Sequence, residues 1–245
     1  MLTLLQAIEM RRSVRTFAHT APEAALLREC AAGSPASVRL LPAEALAGAH
    51  LGTYGVISGV PAYAAVMCDL ADTSSAVAAG MAGERLVLEA VRRGLGTVWL
   101  GATFDRRAVE RALGTAAEPC AVIAVGNPAG RMRLAERIMH MAARSASRHA
   151  AAELVIAGTP DAAALRGIEA ARLAPSARNR QPWRFAANGD GSIDVYALGS
   201  GRFDALDCGI ALCHFLVAAP AFRMVAPRNP RPSLISIATL LPELT

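Results

Sequence analysis

Short apolar strands separated by helices are the feature that most constrains the fold of this chain. The segments 59–69 and 120–128 ("GVPAYAAVMCD" and "CAVIAVGNP") are apolar runs of a length typical of buried strands. Between them lies an amphipathic helix, which we expect Thr73 or Ser74 to cap and Gly94 to terminate. Strands that are mostly not adjacent in the sequence predict an α+β fold.

The remaining elements follow from the same periodicities. A hairpin is predicted where two alternating runs flank Gly189-Asp190-Gly191, because a short glycine-containing turn between such runs is a strong hairpin signal. The stretch 97–103 predicts a short strand or turn, 39–59 is ambiguous, and a last strand is expected within 233–241. Further helices are predicted at 3–10, 22–32, 106–113, 161–173 and 204–219.

The length and hydrophobicity of the chain limit its class. Its 245 residues suffice for one large domain or two small ones, and 53% of them are hydrophobic, many of them alanine. No apolar run approaches the roughly 20 residues that a membrane helix needs, so we expect no membrane association. The first charges follow the apolar start instead of preceding it, which is the reverse of a signal peptide, and we expect a cytoplasmic protein.

The chain is basic, with a formal net charge of +5, and contains no lysine. Its arginines are dispersed, and no spacing typical of an RNA-binding or zinc-finger module occurs, so we expect no nucleic-acid partner. Arginine is suited to forked contacts with phosphate or carboxylate, and the lack of lysine excludes Schiff-base catalysis. The five cysteines form no CxxC pair, which predicts reduced, buried thiols rather than a metal site or a disulfide framework.

The first candidate binding segment is "RRSVR" at 11–15. Arg11, Ser13 and Arg15 alternate, so an extended backbone would direct all three to one side, where guanidinium groups and a hydroxyl make a phosphate clamp. The alternative is a solvated basic helix end, where positive charge also suits the helix dipole.

The second candidate is the glycine-rich stretch 94–103 ("GLGTVWLGAT"). It follows a helix, whereas a dinucleotide-binding glycine motif follows a strand, so it is not a Rossmann fingerprint. Its glycines would let a backbone N–H approach a flat ligand closely. The alternative is a tight turn over a core-packed Trp99. The five histidines have no ligand spacing, and we expect structural or surface roles for them.

The most specific candidate is "ARLAPSARNRQPWRF" at 171–185. Pro175 ends the preceding helix, and Ser176 and Asn179 are short polar groups that could bond a ligand hydroxyl or a ring edge. Trp183 is suited to packing under the bend. The alternative is a structural turn with incidental arginines.

A weak internal repeat links the two halves of the chain. Residues 26–40 can be laid beside 165–179, and the helix 83–96 beside 207–219, although Asn179 has no counterpart in the first copy. Such an echo could arise by chance in an alanine-rich chain. If it is real, the chain folds as two related halves around a pseudo-twofold axis, and only one of two equivalent sites keeps its polar groups.

Taken together, "IEMRRSVRTF", "GLGTVWLG", "VGNP" and "ARLAPSARNRQPW" resemble the flavin-dependent nitroreductase family. The late position of the last motif resembles a branch in which one chain carries two fused half-domains. The resemblance covers nearly the whole chain. It implies an α+β nitroreductase-like fold in a single domain, 1–245, with pseudo-repeat halves of about 1–130 and 131–245. The protein would then be a monomer with an internal pseudo-dimer, or a homodimer.

The resemblance implies an FMN site. Arg11 and Ser13 would hold the phosphate, with Arg137 as a second phosphate contact and Arg133 as its substitute. Arg12 and Arg15 would face the ribityl chain and the pyrimidine edge, and Leu100 and Gly101 would bring backbone amides near N5. Ser176 and Asn179 would contact the flavin from the other half. The complete set of implied cofactor contacts is Arg11, Arg12, Ser13, Arg15, Leu100, Gly101, Arg137, Pro175, Ser176 and Asn179.

The function that the resemblance implies is an FMN-dependent oxidoreductase that takes hydride from NAD(P)H and reduces a small nitroaromatic, quinone or related acceptor. The flavin carries the chemistry in such enzymes, so no catalytic side chain and no metal is expected. Two departures from the family pattern are visible: no Asn-x-x-Lys match lies between Pro42 and Gly59, and Asn127 stands where a tyrosine is common. The alternatives are a flavin- or ligand-binding relative without turnover and a flavin-modifying enzyme of the same fold.

Overall fold

A computed structural model describes residues 1–18, 20–32, 35, 37–52, 57–114, 118–130 and 147–243. The chain forms two compact units, the first comprising Met1–Asp69 and Ala82–Ser145 and the second Leu70–Met81 and Ala146–Thr245. Each contains a sheet and helices, which confirms the predicted α+β class. The described residues include no helix that is long and apolar enough to cross a membrane. The predicted division of the chain into two related halves, with a boundary near residue 130, stays a prediction.

The first unit is built on a four-stranded antiparallel sheet with the strand order β1-β2-β4-β3. Strand β4 lies inside this sheet and is buried along its whole length, which explains its continuous apolar sequence. The strands are β1 (Val38–Pro42), β2 (Ala62–Met67), β3 (Gly96–Leu100) and β4 (Pro119–Gly126). The helices are α1 (Leu4–Met10), α2 (Ala24–Ala31), the part of α3 (Thr73–Arg92) from residue 82 onward, and α4 (Arg106–Leu113).

The predicted long helix is confirmed as α3, but its predicted capping residue is wrong. The helix begins at Thr73, and the side chain of Asp72 accepts a hydrogen bond from the backbone N–H of Ser74 at 2.9 Å. Asp72 occupies the position just outside the first turn, where a carboxylate also complements the helix dipole. Gly94 has a φ of +84°, the left-handed geometry typical of the residue that ends a helix, as predicted.

The second unit has a five-stranded sheet with the order β5-β6-β7-β9-β8. The β5–β6 pair is parallel and the other pairs are antiparallel. The strands are β5 (Val155–Ala157), β6 (Trp183–Ala187), β7 (Ile193–Ala197), β8 (Phe222–Val225) and β9 (Ile235–Pro242). The helices are the first part of α3, then α5 (Ala151–Leu154), α6 (Ala162–Ala171) and α7 (Asp204–Ala218).

The predicted hairpin and final strand of this unit are confirmed as β6–β7 and β9. Asp161 caps α6 as expected, because its carboxylate accepts the Ala164 N–H at 2.7 Å. Strands β5 and β8 and the short helix α5 were not predicted. Each has only three or four residues, which is too short for a periodic pattern to emerge.

Aromatic side chains and close helix contacts form the core of the second unit. The Phe215 ring lies 6.1 Å from that of Phe185 and 5.5 Å, edge to face, from that of Phe222. Where α7 meets the first part of α3, the backbones approach so closely that a Cβ atom on Gly209 would lie 2.2 Å from the carbonyl oxygen of Val77. Glycine is therefore required at this crossing.

We predict that Gly209→Ala destabilises the protein. The added methyl group would force the two helices apart, and overpacking of this kind costs about 1–3 kcal/mol, partly offset by the about 1 kcal/mol by which alanine favours a helix interior. Urea denaturation followed by circular dichroism measures the change in the free energy of unfolding.

Gly189→Ala is the matched control for this prediction. Gly189 has no atom within 4 Å of an added Cβ, and its φ is not in the left-handed region, so the control should change stability by no more than about 0.5 kcal/mol. Equal stability of the two alanine variants would contradict a required close approach at Gly209.

Candidate cofactor site

An extended segment from Arg11 to Ala18 runs through the first unit directly after α1. The helix ends at Met10, and Arg11 leaves the helical region with a ψ of 127°. The backbone is held at three places, where the N–H groups of Val14, Phe17 and Ala18 donate to the carbonyl oxygens of Thr97, Ser58 and Asn127 at 2.9, 3.0 and 2.8 Å. The segment is thus fixed in position by backbone contacts that do not depend on its polar side chains.

The side chains of this segment differ in exposure. Val14 and Phe17 belong to the core of the first unit. Arg12 is exposed, whereas Arg11, Ser13 and Arg15 are half-buried. The extended backbone that the phosphate-clamp interpretation requires is present, and the three residues that this interpretation groups together share the same degree of burial.

The guanidinium of Arg11 has an unsatisfied donor. Its Nε is buried, and within the part of the chain that the structure describes it has no hydrogen-bond partner. Burial lowers the pKa of the Arg11 guanidinium, and the carboxylate of Glu84 opposes this effect. An arginine keeps its charge in proteins, and a buried donor without an acceptor costs about 1–3 kcal/mol, so an anion at this position would be favourable.

Glu84 is a buried residue of this region that the sequence did not reveal. It lies on α3, has 0% exposure, and accepts a hydrogen bond from Trp99 Nε1 at 2.8 Å. The Trp99 ring packs so closely on α3 that a Cβ on Gly83 would lie 2.3 Å from it. In an amphipathic helix a glutamate is expected on the solvent side, and no sequence pattern distinguishes Glu84 from its exposed neighbours.

Leu100 and Gly101 lie at the end of β3. Leu100 is buried and pairs with Val122 of β4, and Gly101 is half-buried in the bend that follows. Ser13 forms a bridge with Thr97 near the start of the same strand. Leu100 lies three residue steps after Thr97 along the strand, or about 10 Å. The two candidate segments of the first unit therefore lie near opposite ends of one short strand.

The motif at 171–185 forms a strained bend in the second unit. Helix α6 ends at Ala171, and the half-buried Pro175 and Ser176 follow. Arg178, Asn179 and Gln181 have φ angles of 54, 55 and 49°. Left-handed backbone at three non-glycine residues within four positions is costly and persists only where the surroundings enforce it.

Hydrogen bonds from two directions enforce this bend. The Ser176 hydroxyl accepts the Gln181 N–H at 2.9 Å, and Asp207 on the first turn of α7 accepts the Ala177 N–H at 3.0 Å. Asp207 is buried, and burial raises the pKa of its carboxyl well above the usual value. Trp183 is fully buried in β6, directly after the bend, and its predicted packing under the bend stays a prediction.

Asn179 uses its side chain within the second unit. Its Oδ1 accepts a hydrogen bond from Arg148 Nη1 at 3.0 Å, and its Nδ2 donates to the Ser147 carbonyl oxygen at 2.9 Å. Gln181 adds to the same arrangement, because its Oε1 accepts the His149 N–H at 3.0 Å. Asn179 and Gln181 therefore hold the segment 147–149, a role that their sequence positions alone did not suggest.

Arg137 and its substitute Arg133 lie outside the described residues. The ten predicted cofactor contacts stay predictions. Within the separate units, the structure groups Arg11, Ser13 and Arg15 on one extended segment and Pro175, Ser176 and Asn179 on one bend.

Comparison with known proteins identifies the family. A sequence model described as "Putative TM nitroreductase" matches residues 3–219. The chain therefore belongs to this nitroreductase family, whose chemistry is that of oxidoreductases. Among curated proteins no relative matches.

Solved structures give the same fold. The crystal structure of "a putative nitroreductase" from Thermotoga maritima has a TM-score of 0.63 and 19% identity, covering 98% of this chain and 92% of that one. This likeness confirms the nitroreductase-like fold. A nitroreductase family protein from Clostridium difficile has 17% identity over 58% of this chain and 92% of its own, with a TM-score of 0.42. An FMN-dependent nitroreductase from Clostridium difficile has 16% identity over 51% and 87%, with a TM-score of 0.41.

We predict that Asp207→Asn gains stability relative to the unaltered protein as the pH rises. The pKa of Asp207 is raised in the folded state, so its contribution to stability is fully present below its unfolded pKa of about 3.9 and is lost as the pH rises through the folded pKa. Asparagine does not ionise, and its Oδ1 can still accept the Ala177 N–H. Urea denaturation between acidic and mildly alkaline pH measures the difference between the two proteins.

Asp190→Asn is a control of opposite sign. Hydrogen bonds from Ser192 hold the pKa of Asp190 below its usual value, so its contribution to stability is present above its unfolded pKa and is lost as the pH falls. The asparagine variant should lose stability relative to the unaltered protein as the pH rises. If the difference in stability between Asp207→Asn and the unaltered protein did not change with pH, the raised pKa of a buried Asp207 carboxyl would be contradicted.

Proposed function

We propose that the protein is an FMN-dependent oxidoreductase that uses NAD(P)H to reduce a small nitroaromatic, quinone or related acceptor. The observation that carries the proposal is the unsatisfied Nε–H of Arg11 on an extended segment of basic and hydroxyl residues. That segment occurs in a chain of the nitroreductase family. An enclosed arginine with a donor to spare fits the phosphate of FMN, because charge-assisted hydrogen bonds are the strong ones.

The residues of the first unit would divide the binding of the cofactor. Arg11 and Ser13 would hold the phosphate, Arg12 the ribityl chain, and Arg15 the pyrimidine edge, where a cation favours the reduced ring. The backbone amides of Leu100 and Gly101 would approach N5. When bound, FMN would supply the redox chemistry, which is to accept a hydride and to reduce the acceptor. The chain's own contribution is to bind, orient and tune it electrostatically.

We further propose that the cofactor is contacted by three residues of the second unit, Pro175, Ser176 and Asn179. Arg137 is our proposed second contact to the phosphate. The support for a binding role of the bend is its strain. Left-handed backbone at three non-glycine residues within four positions is characteristic of functional sites, where the surrounding structure maintains an unfavourable geometry. Here Ser176 and Asp207 maintain it.

We also propose that the chain is a fused pair of half-domains, about 1–130 and 131–245. Support comes from the strand orders. In the first unit β1-β2-β4-β3 are antiparallel, and in the second β6-β7-β9-β8 are antiparallel in the same order. In each, a helix precedes the first of these strands and another helix connects the second strand to the third in sequence.

The visible spectrum of the purified protein, loaded with FMN and freed of excess, tests the function. We expect a flavin band that bleaches under anaerobic conditions on addition of NADH or NADPH and returns on addition of a nitroaromatic or quinone. A flavin band inert to both nucleotides would favour the non-catalytic binder. A protein that cannot be loaded with FMN would contradict the cofactor assignment.

We predict that replacing both Arg11 and Ser13 with alanine weakens FMN binding. Each charge-assisted hydrogen bond is worth about 1.5–3 kcal/mol, and 1.4 kcal/mol corresponds to a factor of ten, so the dissociation constant should rise at least about tenfold. Quenching of flavin fluorescence during titration measures it. Arg107→Ala, which removes an exposed arginine from α4 of the same unit, is the control for net charge and should leave the constant within about twofold. Unchanged affinity in the double variant would contradict the phosphate assignment.

A further inference from the structure

Two of the five cysteines lie next to each other at an irregularity of the first unit's sheet. Where β2 and β4 pair, Val66 is opposite Ala121 but Met67 is opposite Pro119, so that Cys120 is an extra residue at a β-bulge. Cys68 directly follows Met67 at the end of β2. Because Met67 is opposite Pro119, Cys68 and Cys120 are diagonal neighbours across the two strands, and diagonal neighbours share a face of the sheet.

The diagonal placement across β2 and β4 puts the two thiols near enough to influence each other's ionisation. The interaction with Cys120, together with burial, raises the pKa of Cys68, whereas the interaction with Cys68 lowers the pKa of Cys120, so Cys120 is the thiol of the pair that ionises more readily. Arg106, which begins α4, lies close enough to favour the thiolate of either residue, although Asp69 opposes it at Cys68. A cation beside a thiol favours the thiolate, which is the reactive form of cysteine.

Their accessibility differs from what the sequence predicted. All five thiols were expected to be buried, but Cys68 is half-exposed, while Cys30, Cys120, Cys208 and Cys213 are buried. A small oxidant can therefore approach the pair from the side of Cys68, whereas Cys120 is the enclosed member.

We propose that Cys68 and Cys120 form a redox-active dithiol that a peroxide converts into a reversible disulfide. The Cys120 thiolate attacks one peroxide oxygen and becomes a sulfenic acid, while the O–O bond breaks and the other oxygen leaves as water after taking up a proton. The other thiol attacks the sulfenic sulfur and water leaves. In total two thiols and hydrogen peroxide give one disulfide and two water molecules, so the sulfurs lose two electrons and the peroxide gains them. Formation of the disulfide requires the two sulfur atoms to approach to about 2 Å.

Thiol counting and peptide mapping test this proposal. The reduced, full-length native protein is treated with a small excess of hydrogen peroxide, unfolded, and alkylated. We expect the alkylated cysteines to fall from five to three and dithiothreitol to restore all five. Trypsin places the two residues in different peptides, 40–85 and 112–131, each with one cysteine, so the disulfide appears as one linked pair of peptides that is absent after reduction.

Three serine variants serve as controls. Cys68→Ser and Cys120→Ser should each keep four alkylated cysteines after the same treatment, whereas Cys30→Ser, which removes a buried cysteine elsewhere in the first unit, should fall from four to two. Circular dichroism verifies that each variant is folded. A linked pair of other peptides, unchanged thiol counts, or oxidation of Cys68 to a sulfinic acid without linkage would each overturn the proposal.

Discussion

The extended backbone from Arg11 to Ala18 is the constraint on which the candidate site of the first unit depends. It is fastened to Thr97 of β3, to Ser58, and to Asn127 just beyond β4. These are backbone bonds, and Val14 and Phe17 anchor the segment in the core, so the position of the segment does not rest on its polar side chains. The fold thus presents basic and hydroxyl groups on a rigid support, which lowers the entropic cost of binding an anion.

In the second unit the corresponding constraint is a bend whose residues adopt backbone conformations that non-glycine residues disfavour. Arg178, Asn179 and Gln181 adopt left-handed conformations, and the bonds from Ser176 and Asp207 hold them there. Holding the bend with a buried carboxyl costs free energy, because burial disfavours the charged form of the carboxyl. Asn179 in turn forms hydrogen bonds with Ser147 and Arg148, so a change in the conformation of the bend would alter the position of the segment that precedes α5.

Much of the fold could be predicted from the sequence because its main elements carry strong periodic signals. Strands β2 and β4 are continuous apolar runs, and the β6–β7 hairpin is marked by a glycine-containing turn. The short β5 and β8 carry no such signal, and β1 lay within a stretch whose pattern favoured neither a helix nor a strand. The cap of α3 was misassigned because aspartate, threonine and serine stand together at its start, and each is a suitable capping residue.

The candidate site was less predictable than the fold. The motifs located its segments, because proline, glycine and clustered polar residues are visible in a sequence. The partners of those segments were not visible, since Glu84 beside Arg11 and Asp207 beneath Ala177 are acidic residues of amphipathic helices, and only the three-dimensional packing makes them buried. Tertiary contacts of this kind connect residues about 30 to 70 positions apart in the chain, beyond the reach of any local pattern.

The central claim is that the segment containing Arg11 binds the phosphate of FMN, and it is tested most directly by comparing the dissociation constants of FMN and riboflavin, which lacks that phosphate. In the unaltered protein we expect FMN to bind at least about tenfold more tightly, the value of one charge-assisted hydrogen bond. In Arg11→Ala this preference should fall towards one while riboflavin binding changes little. An equal loss of affinity for both ligands would contradict the account, because Arg11 would then act on the flavin pocket without contacting the phosphate.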